Sequence, residues 1–252
     1  MSPDEQDALL SSLDDFLDRN VISEVLECVR GGKEATVFRC RNGREGGPTF
    51  YAAKVYRPSA RRSFRNDAAY RDGRVILSPR ARRAVNAKTD FGREVMQYLW
   101  VAAEFETQQR LYDAGVSVPR PVMCGGGAIL MEWIGDATAA APQLRHAGLD
   151  GVRAAGAFHG LMRDVETMLD RHRVHGDLSP FNVLYWDGRP RVIDFPQSVD
   201  ARMNANAYGL LCRDVENVCR FFAKLGVDTG DPWKRAGRLW DRYVRGELGG
   251  GS

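Results

Sequence analysis

The chain has almost no excess of either charge: 36 basic side chains against 33 acidic ones leave a formal +3 over 252 residues. That balance excludes a protein held to nucleic acid or a membrane by net charge alone, so charge matters only where it clusters. Histidine is scarce, with four in all, and the H-x-x-H pair His172 and His175 has no cysteine or further histidine beside it, which gives no metal pattern. The five cysteines (Cys28, Cys40, Cys124, Cys212, Cys219) contain no C-x-x-C pair and leave an odd number, which fits reduced thiols rather than a disulfide framework. No apolar signal-type segment opens the chain and no run of eighteen apolar residues occurs, so the expectation is a cytoplasmic protein without a membrane span. Internal repeats and low-complexity tracts are also missing. What is present is a chain with 44% hydrophobic residues, long enough to bury a real core as one two-lobed domain or two small ones.

The elements follow from pattern. Ser2-Pro3-Asp4-Glu5 reads as a capping box, and Leu9, Leu10, Leu13, Phe16 and Leu17 supply an apolar face, predicting a helix within 1–20. From Val21 the runs VISEVLECV, ATVFRC and FYAAKVY, parted by GGKE and NGREGGP, predict three antiparallel strands. The segment 57–83 carries nine arginines against Asp67 and Asp72, and 57–92 is read as a basic, flexible loop. A helix is predicted over 93–114, capped by Gly115 and blocked by Pro119 and Pro121. VMCGGGAILMEWIG predicts a hairpin ending in a hinge at 131–135. Beyond it, Val152–His172, Tyr208–Leu225 and Trp233–Val244 read as helices, and VLYW-DGRP-RVID as a hairpin. The fold class is therefore α+β: a small antiparallel sheet lobe over 21–135 and a mainly helical lobe over 136–252.

Chemistry concentrates in HGDLSPFN, residues 175–182, and in VIDFPQ, whose Asp194 stands twelve residues beyond Asn182. Phosphoryl transfer asks a protein to orient the nucleophile and to hold Mg²⁺ against phosphate oxygens. Asn182 and Asp194 offer the hard oxygen ligands that this ion takes. Asp177 precedes Asn182 by five positions with Leu178 between them, the spacing of a kinase catalytic loop, which makes Asp177 the candidate base. Asp194 leaves the end of an apolar strand in a loop at 194–197. Lys54 lies mid-strand among Ala, Val and Tyr, where an ammonium is costly unless it meets an anion. Glu104 interrupts the face shared by Trp100, Ala103, Thr107 and Leu111, which makes it a candidate partner. Gly31, Gly32, Lys33 and Glu34 form a turn that can bring backbone amides to phosphates, although it is neither G-x-G-x-x-G nor a Walker A loop. Met131, Glu132 and Ile134 are where a hinge presents main-chain groups to adenine.

Taken in order, GGKEATVF, AAKVYRPS, AGVSVPRPV, LMEWIG, HGDLSPFNVLY, VIDFPQSV and RDVENVCRFF resemble the RIO family of atypical kinases, most closely its type-one branch, over roughly Val21 to Phe222. The resemblance implies a trimmed protein-kinase fold with an ATP cleft between the lobes, ATP and Mg²⁺ as cofactors with Mn²⁺ as an alternative, and serine autophosphorylation. It implies Asp177 as base, Asn182 and Asp194 as metal ligands, Lys54 paired with Glu104, and a phospho-aspartate at Asp194. It also makes Ser59, Ser63 and Ser78 candidate acceptors, and the basic segment 57–83 a contact for RNA, a ribosomal particle or an acidic protein face. The sequence departs from ordinary protein kinases where HRD becomes HGD and DFG becomes DFP, and no A-P-E follows. Two other readings stay open, the first of which shares HGDLxxxN and a later Asp. One is a small-molecule phosphotransferase of the aminoglycoside or choline kinase type, disfavoured because only 58 residues follow Asp194. The other is an ATP-gated ribosome-assembly factor.

Overall fold

A computed structural model of the chain describes residues 3–57 and 78–249. Ser2, Ser59, Ser63, most of the arginine-rich segment and the last three residues lie outside the described residues. The chain divides into two compact units, Met1–Glu106 with Arg120–Trp133 and Thr107–Pro119 with Ile134–Ser252. A single cut near Gly135 would separate residues 107–119 from the core they join: Leu111, Val116 and Val118 are buried in the apolar cluster of the second unit.

The first unit opens with α1 (Pro3–Leu10), a 3-10 turn at Ser11–Leu13, and α2 (Asp14–Asp18). Leu9, Leu13 and Phe16 are buried against the sheet residues Ile22, Phe38 and Val55. Leu17, expected on the same face, is 37% exposed, because the tighter 3-10 turn shifts the phase of the residues after it. Five strands follow: β1 (Ile22–Gly31), β2 (Ala35–Asn42), β3 (Phe50–Tyr56), β4 (Pro121–Gly125) and β5 (Ala128–Glu132). They pair antiparallel in the order β1-β2-β3-β5-β4. This order makes β3 the central strand, which explains its near-continuous apolar sequence: Tyr51, Ala52, Ala53, Val55 and Tyr56 are all buried. The register sets Lys54 opposite Val37 on β2 and Ile129 on β5.

One expectation is corrected here. Part of the supposed loop 57–92 is helical: α3 spans Pro79–Asn86, and α4 begins at Asp90 and runs to Asp113. Ser78 caps α3 by accepting from the Ala81 amide at 3.2 Å, with Pro79 at the first helical position. That serine-proline pair is a helix-start signal which the high arginine count concealed.

The second unit is built on α5 (Gly151–Asp170), α6 (Ala207–Ala223) and α7 (Pro232–Val244), with β6 (Arg173–Val174) paired to β9 (Val199–Asp200) and β7 (Val183–Trp186) to β8 (Arg189–Val192). The β7–β8 connection is two residues, Asp187 and Gly188, both at positive φ (48° and 73°), as a tight hairpin turn requires. Phe158, Leu161, Val183, Val192, Val215 and Phe222 centre the core. Among the described residues no helix is long and apolar enough to cross a membrane.

Candidate active site

In the first unit, β3 and α4 bring Lys54 and Glu104 together. The Lys54 Nζ donates to Glu104 Oε1 at 2.7 Å, with the side chains 12% and 3% exposed. The ammonium also lies 5.1 Å from the centre of the Tyr56 ring, which meets Trp100 edge-on at 5.0 Å. An ion pair this dry is held by packing around it, and the aromatic face adds a cation–π contact. The carboxylate reaches β4 as well: burial first, and Glu104 second, push the Cys124 thiol up to about 11. That thiol therefore stays protonated and is no nucleophile.

Gly31, Gly32, Lys33 and Glu34 are all exposed at the β1–β2 turn. The Gly32 amide donates to the Ala35 carbonyl at 2.8 Å. Arg57, just beyond β3, fixes the turn from two sides. Its amide donates to the Glu34 carbonyl at 2.9 Å, and its Nε donates to the Gly32 carbonyl at 3.0 Å. The same guanidinium pairs with Glu5 of α1 and reaches Thr36 Oγ1 at 3.4 Å. Sequence reasoning missed Arg57, since it looks like the first of many arginines in a basic segment. Met131 and Glu132 are half-buried at the end of β5, and the Glu132 carboxylate accepts from the Arg120 amide at 3.0 Å. Ile134 belongs to the second unit, is 6% exposed, and accepts from the Ala141 amide at 2.8 Å.

The second unit assembles Asp177, Asn182 and the strand end before Asp194. The Asn182 amide nitrogen donates to both the Asp177 carbonyl, at 2.9 Å, and the Asp177 Oδ2, at 3.0 Å. Both N–H bonds of that amide are thereby used on Asp177, and what it has left to offer is its side-chain oxygen, an acceptor. Its main chain is tied to the next loop, for the Ile193 amide donates to the Asn182 carbonyl at 3.0 Å. His175 makes a second tie. The Asp177 amide donates to Nδ1 at 3.3 Å, so the proton sits on Nε2, which donates to the Ile193 carbonyl at 3.2 Å. The imidazole also lies 5.0 Å from the Phe195 ring. Gly176 is needed where it stands: φ is +80°, and a Cβ would come within 2.6 Å of the Gln197 carbonyl oxygen. Asp194 adopts φ +73°, a conformation costly for any residue but glycine and common at functional positions.

Beneath this loop lies a carboxylate that sequence reading left without a role. Asp214 of α6 is 2% exposed and accepts from the Gly176 amide through one oxygen and from the Leu178 amide through the other, each at 2.8 Å. Asn217, one turn on, donates to the Leu178 carbonyl at 3.2 Å. Burial pushes the Asp214 carboxyl up to about 7, the nearby Asp177 charge adds to the rise, and the two amides oppose it. The signal was available in the same form that marked Glu104: an acidic residue inside the buried stripe of Leu211, Val215, Val218 and Phe222.

The donor chemistry of Asn182 and Asp194, one amide oxygen and one carboxylate, is of the hard-oxygen type that Mg²⁺ takes. Among the described residues no group of three or more His, Cys, Asp or Glu side chains gathers as a metal cluster, at this loop or elsewhere.

A family profile described as the RIO domain matches residues 36–234. The chain is 30% identical over 219 residues to a Caenorhabditis elegans protein named "Serine/threonine-protein kinase RIO1", covering 84% of this chain and 40% of that one. It is 31% identical to the Chaetomium thermophilum protein of the same name, over 85% of this chain and 42% of the relative. With the Haloferax volcanii "RIO-type serine/threonine-protein kinase Rio1" it shares 34% identity over 79% of this chain and 63% of the relative. The chain thus spans from about two fifths to under two thirds of the length of these relatives.

Proposed function

The chain belongs to the RIO family, and on that premise we propose that it is a RIO-type serine/threonine kinase and ATPase, using Mg·ATP, with Mn²⁺ as an alternative metal. The observation that carries the reading is the Asp177–Asn182 arrangement: one amide orients a candidate base through its nitrogen and keeps its oxygen for a cation. Asp177 is exposed, with Oδ2 accepting from Asn182 and its other oxygen available to take the proton of a serine hydroxyl as that oxygen attacks phosphorus and ADP leaves. Asn182 and Asp194 would hold the metal, which would supply positive charge against the phosphate oxygens. Lys54, oriented by Glu104, binds phosphate oxygens, and the turn at 31–34 contributes main-chain amides. Met131, Glu132 and Ile134 meet the adenine.

Asp194 is also the candidate acceptor of a phosphoryl group. Its carboxylate oxygen would attack the γ-phosphorus with loss of ADP, and water would later release phosphate. The setting is cytoplasmic, and the arginine-rich segment 57–83 supplies the contact for an anionic partner, RNA or a ribosomal particle. Incubation with γ-labelled Mg·ATP tests the reading. Self-labelling and slow phosphate release are expected, both lost in Asp177→Ala and Asp194→Ala. A hydroxylamine-sensitive fraction would identify the acyl phosphate. Fast transfer to an aminoglycoside or choline, with no label on protein, would overturn the assignment.

A further inference from the structure

Outside the loops just described, α5 and α7 of the second unit line a cavity of about 490 Å³, and four of its eight lining residues are arginines. Arg235, Arg238 and Arg242 succeed one another on α7 at steps of three and four, so they share a face. On α5, Arg163 and Glu166 do the same from the other wall. Buried Met162 and Leu239 also line it.

The arginines are not equivalent. Arg235 is a fixed part of the wall: it donates from Nε and Nη2 to the Thr229 carbonyl at 3.2 and 2.8 Å and lies 5.2 Å from the centre of the Phe158 ring. Arg242 pairs with Glu166 at 2.8 Å. Arg163 and Arg238 are exposed, and among the described residues their side chains have no hydrogen bond, ion pair or ring contact. Four guanidinium groups against one carboxylate leave a local excess of positive charge in a chain that is otherwise nearly balanced, and two of the four are uncommitted.

We propose that this cavity docks a phosphoserine carried in an acidic stretch of a partner protein. Guanidinium forks match phosphate oxygens, and a phosphomonoester brings close to two negative charges and three acceptor oxygens to one point. The cavity is compact, whereas a single strand of nucleic acid is held by a longer cationic track with aromatic rings for its bases. Here the lining offers no Phe, Tyr or Trp, and its one ring is that of His159. The chain's own Ser59 and Ser63 are poor occupants, because Arg57, Arg61, Arg62 and Arg65 surround them in sequence. An acidic partner segment has the complementary charge. The identity of the ligand rests on the kinase reading, which supplies an enzyme with reason to revisit phosphorylated protein.

Fluorescence polarisation with the labelled peptide Asp-Glu-phosphoSer-Asp-Glu, its unphosphorylated form and a single-stranded RNA of equal charge tests this on the full chain. The wild type should bind the phosphopeptide at least about tenfold tighter than the unphosphorylated peptide, and tighter than the RNA. The double variant Arg163→Ala, Arg238→Ala should lose that preference, with unchanged melting temperature and unchanged ATP turnover. Equal binding of the two peptides, tighter binding of RNA, or undiminished preference in the variant would overturn the proposal. Loss of phosphopeptide docking with turnover intact would sink only the docking site. Docking without any turnover would sink the kinase reading and leave the site standing.

Discussion

Replacing Lys54 by methionine is the perturbation with the most to say, because it separates what the ion pair does for stability from what it does for chemistry. The Nζ to Oε1 distance is 2.7 Å and both side chains are largely buried, 12% and 3% exposed. At an effective dielectric constant of 20, the attraction at that distance is about 6 kcal/mol. Dehydrating both ions returns several kcal/mol of this, so the intact pair contributes little net stability. Removing the ammonium alone strands a carboxylate in a dry setting, and such a break costs about 3–5 kcal/mol. Lys54→Met should therefore lower the free energy of unfolding by that amount, and Glu104→Leu by a similar amount. The double variant, with two apolar side chains of similar size, should return to within about 1 kcal/mol of wild type. Urea unfolding of the four proteins measures the cycle. ATP turnover should vanish in Lys54→Met and in the double variant, where the ammonium is gone, and should fall in Glu104→Leu, where the ammonium remains but is no longer oriented. A double variant as unstable as the sum of the singles, or a Lys54→Met protein with wild-type turnover, would refute the reasoning.

Three further outcomes are expected. Asp177→Ala should lower turnover by about 10²–10⁴, the usual contribution of a general base, while a fluorescent ATP analogue still binds within about twofold of wild type; unchanged turnover would remove Asp177 from the reaction. Arg57→Leu unpins the Gly32 carbonyl and should raise the KM for ATP roughly fivefold or more with a smaller effect on kcat; an unchanged KM would show that the turn holds its shape without it. Asp214 carries a pH signature. Its carboxyl is raised from the ordinary 3.8 to about 7, so the fold favours its protonated form. That stabilising contribution is complete below about pH 4 and fades as pH rises through about 7, when the buried group ionises. Between pH 5 and pH 8 the wild type should lose about 2–3 kcal/mol that Asp214→Asn does not lose, in urea unfolding at the two pH values. Parallel pH dependences of the two proteins would mean that Asp214 is ionised throughout.

What could be read from the sequence and what could not divide along one physical line. Asp177, Asn182 and Asp194 stand out in the sequence as candidates because phosphoryl transfer restricts both residue type and spacing along a short stretch of chain. Lys54 and Glu104 are legible one at a time, each as a charge placed where an apolar side chain belongs, although only the sheet order and the run of α4 bring them within 2.7 Å. Asp214 satisfies the same criterion on α6 and went unused, because nothing local says that its oxygens meet the amides of Gly176 and Leu178 thirty-eight and thirty-six residues away. Arg57 is harder still: its contacts with Gly32, Thr36 and Glu5 depend on how β3 ends beside the β1–β2 turn. Helix α3 failed for a different reason, since its net charge argued for a solvated loop while Ser78-Pro79 argued for a helix start, and the local backbone signal won. The candidate side chains of the loop 175–182 are set by short-range sequence, but its shape is set from below by Asp214 and Asn217, so on the proposed reading α6 governs how well Asp177 is aimed. Asp214→Asn, which keeps the volume and gives up one of two 2.8 Å acceptors, should accordingly lower kcat while leaving the KM for ATP near wild type. A fall confined to KM would place the influence of α6 on nucleotide binding instead.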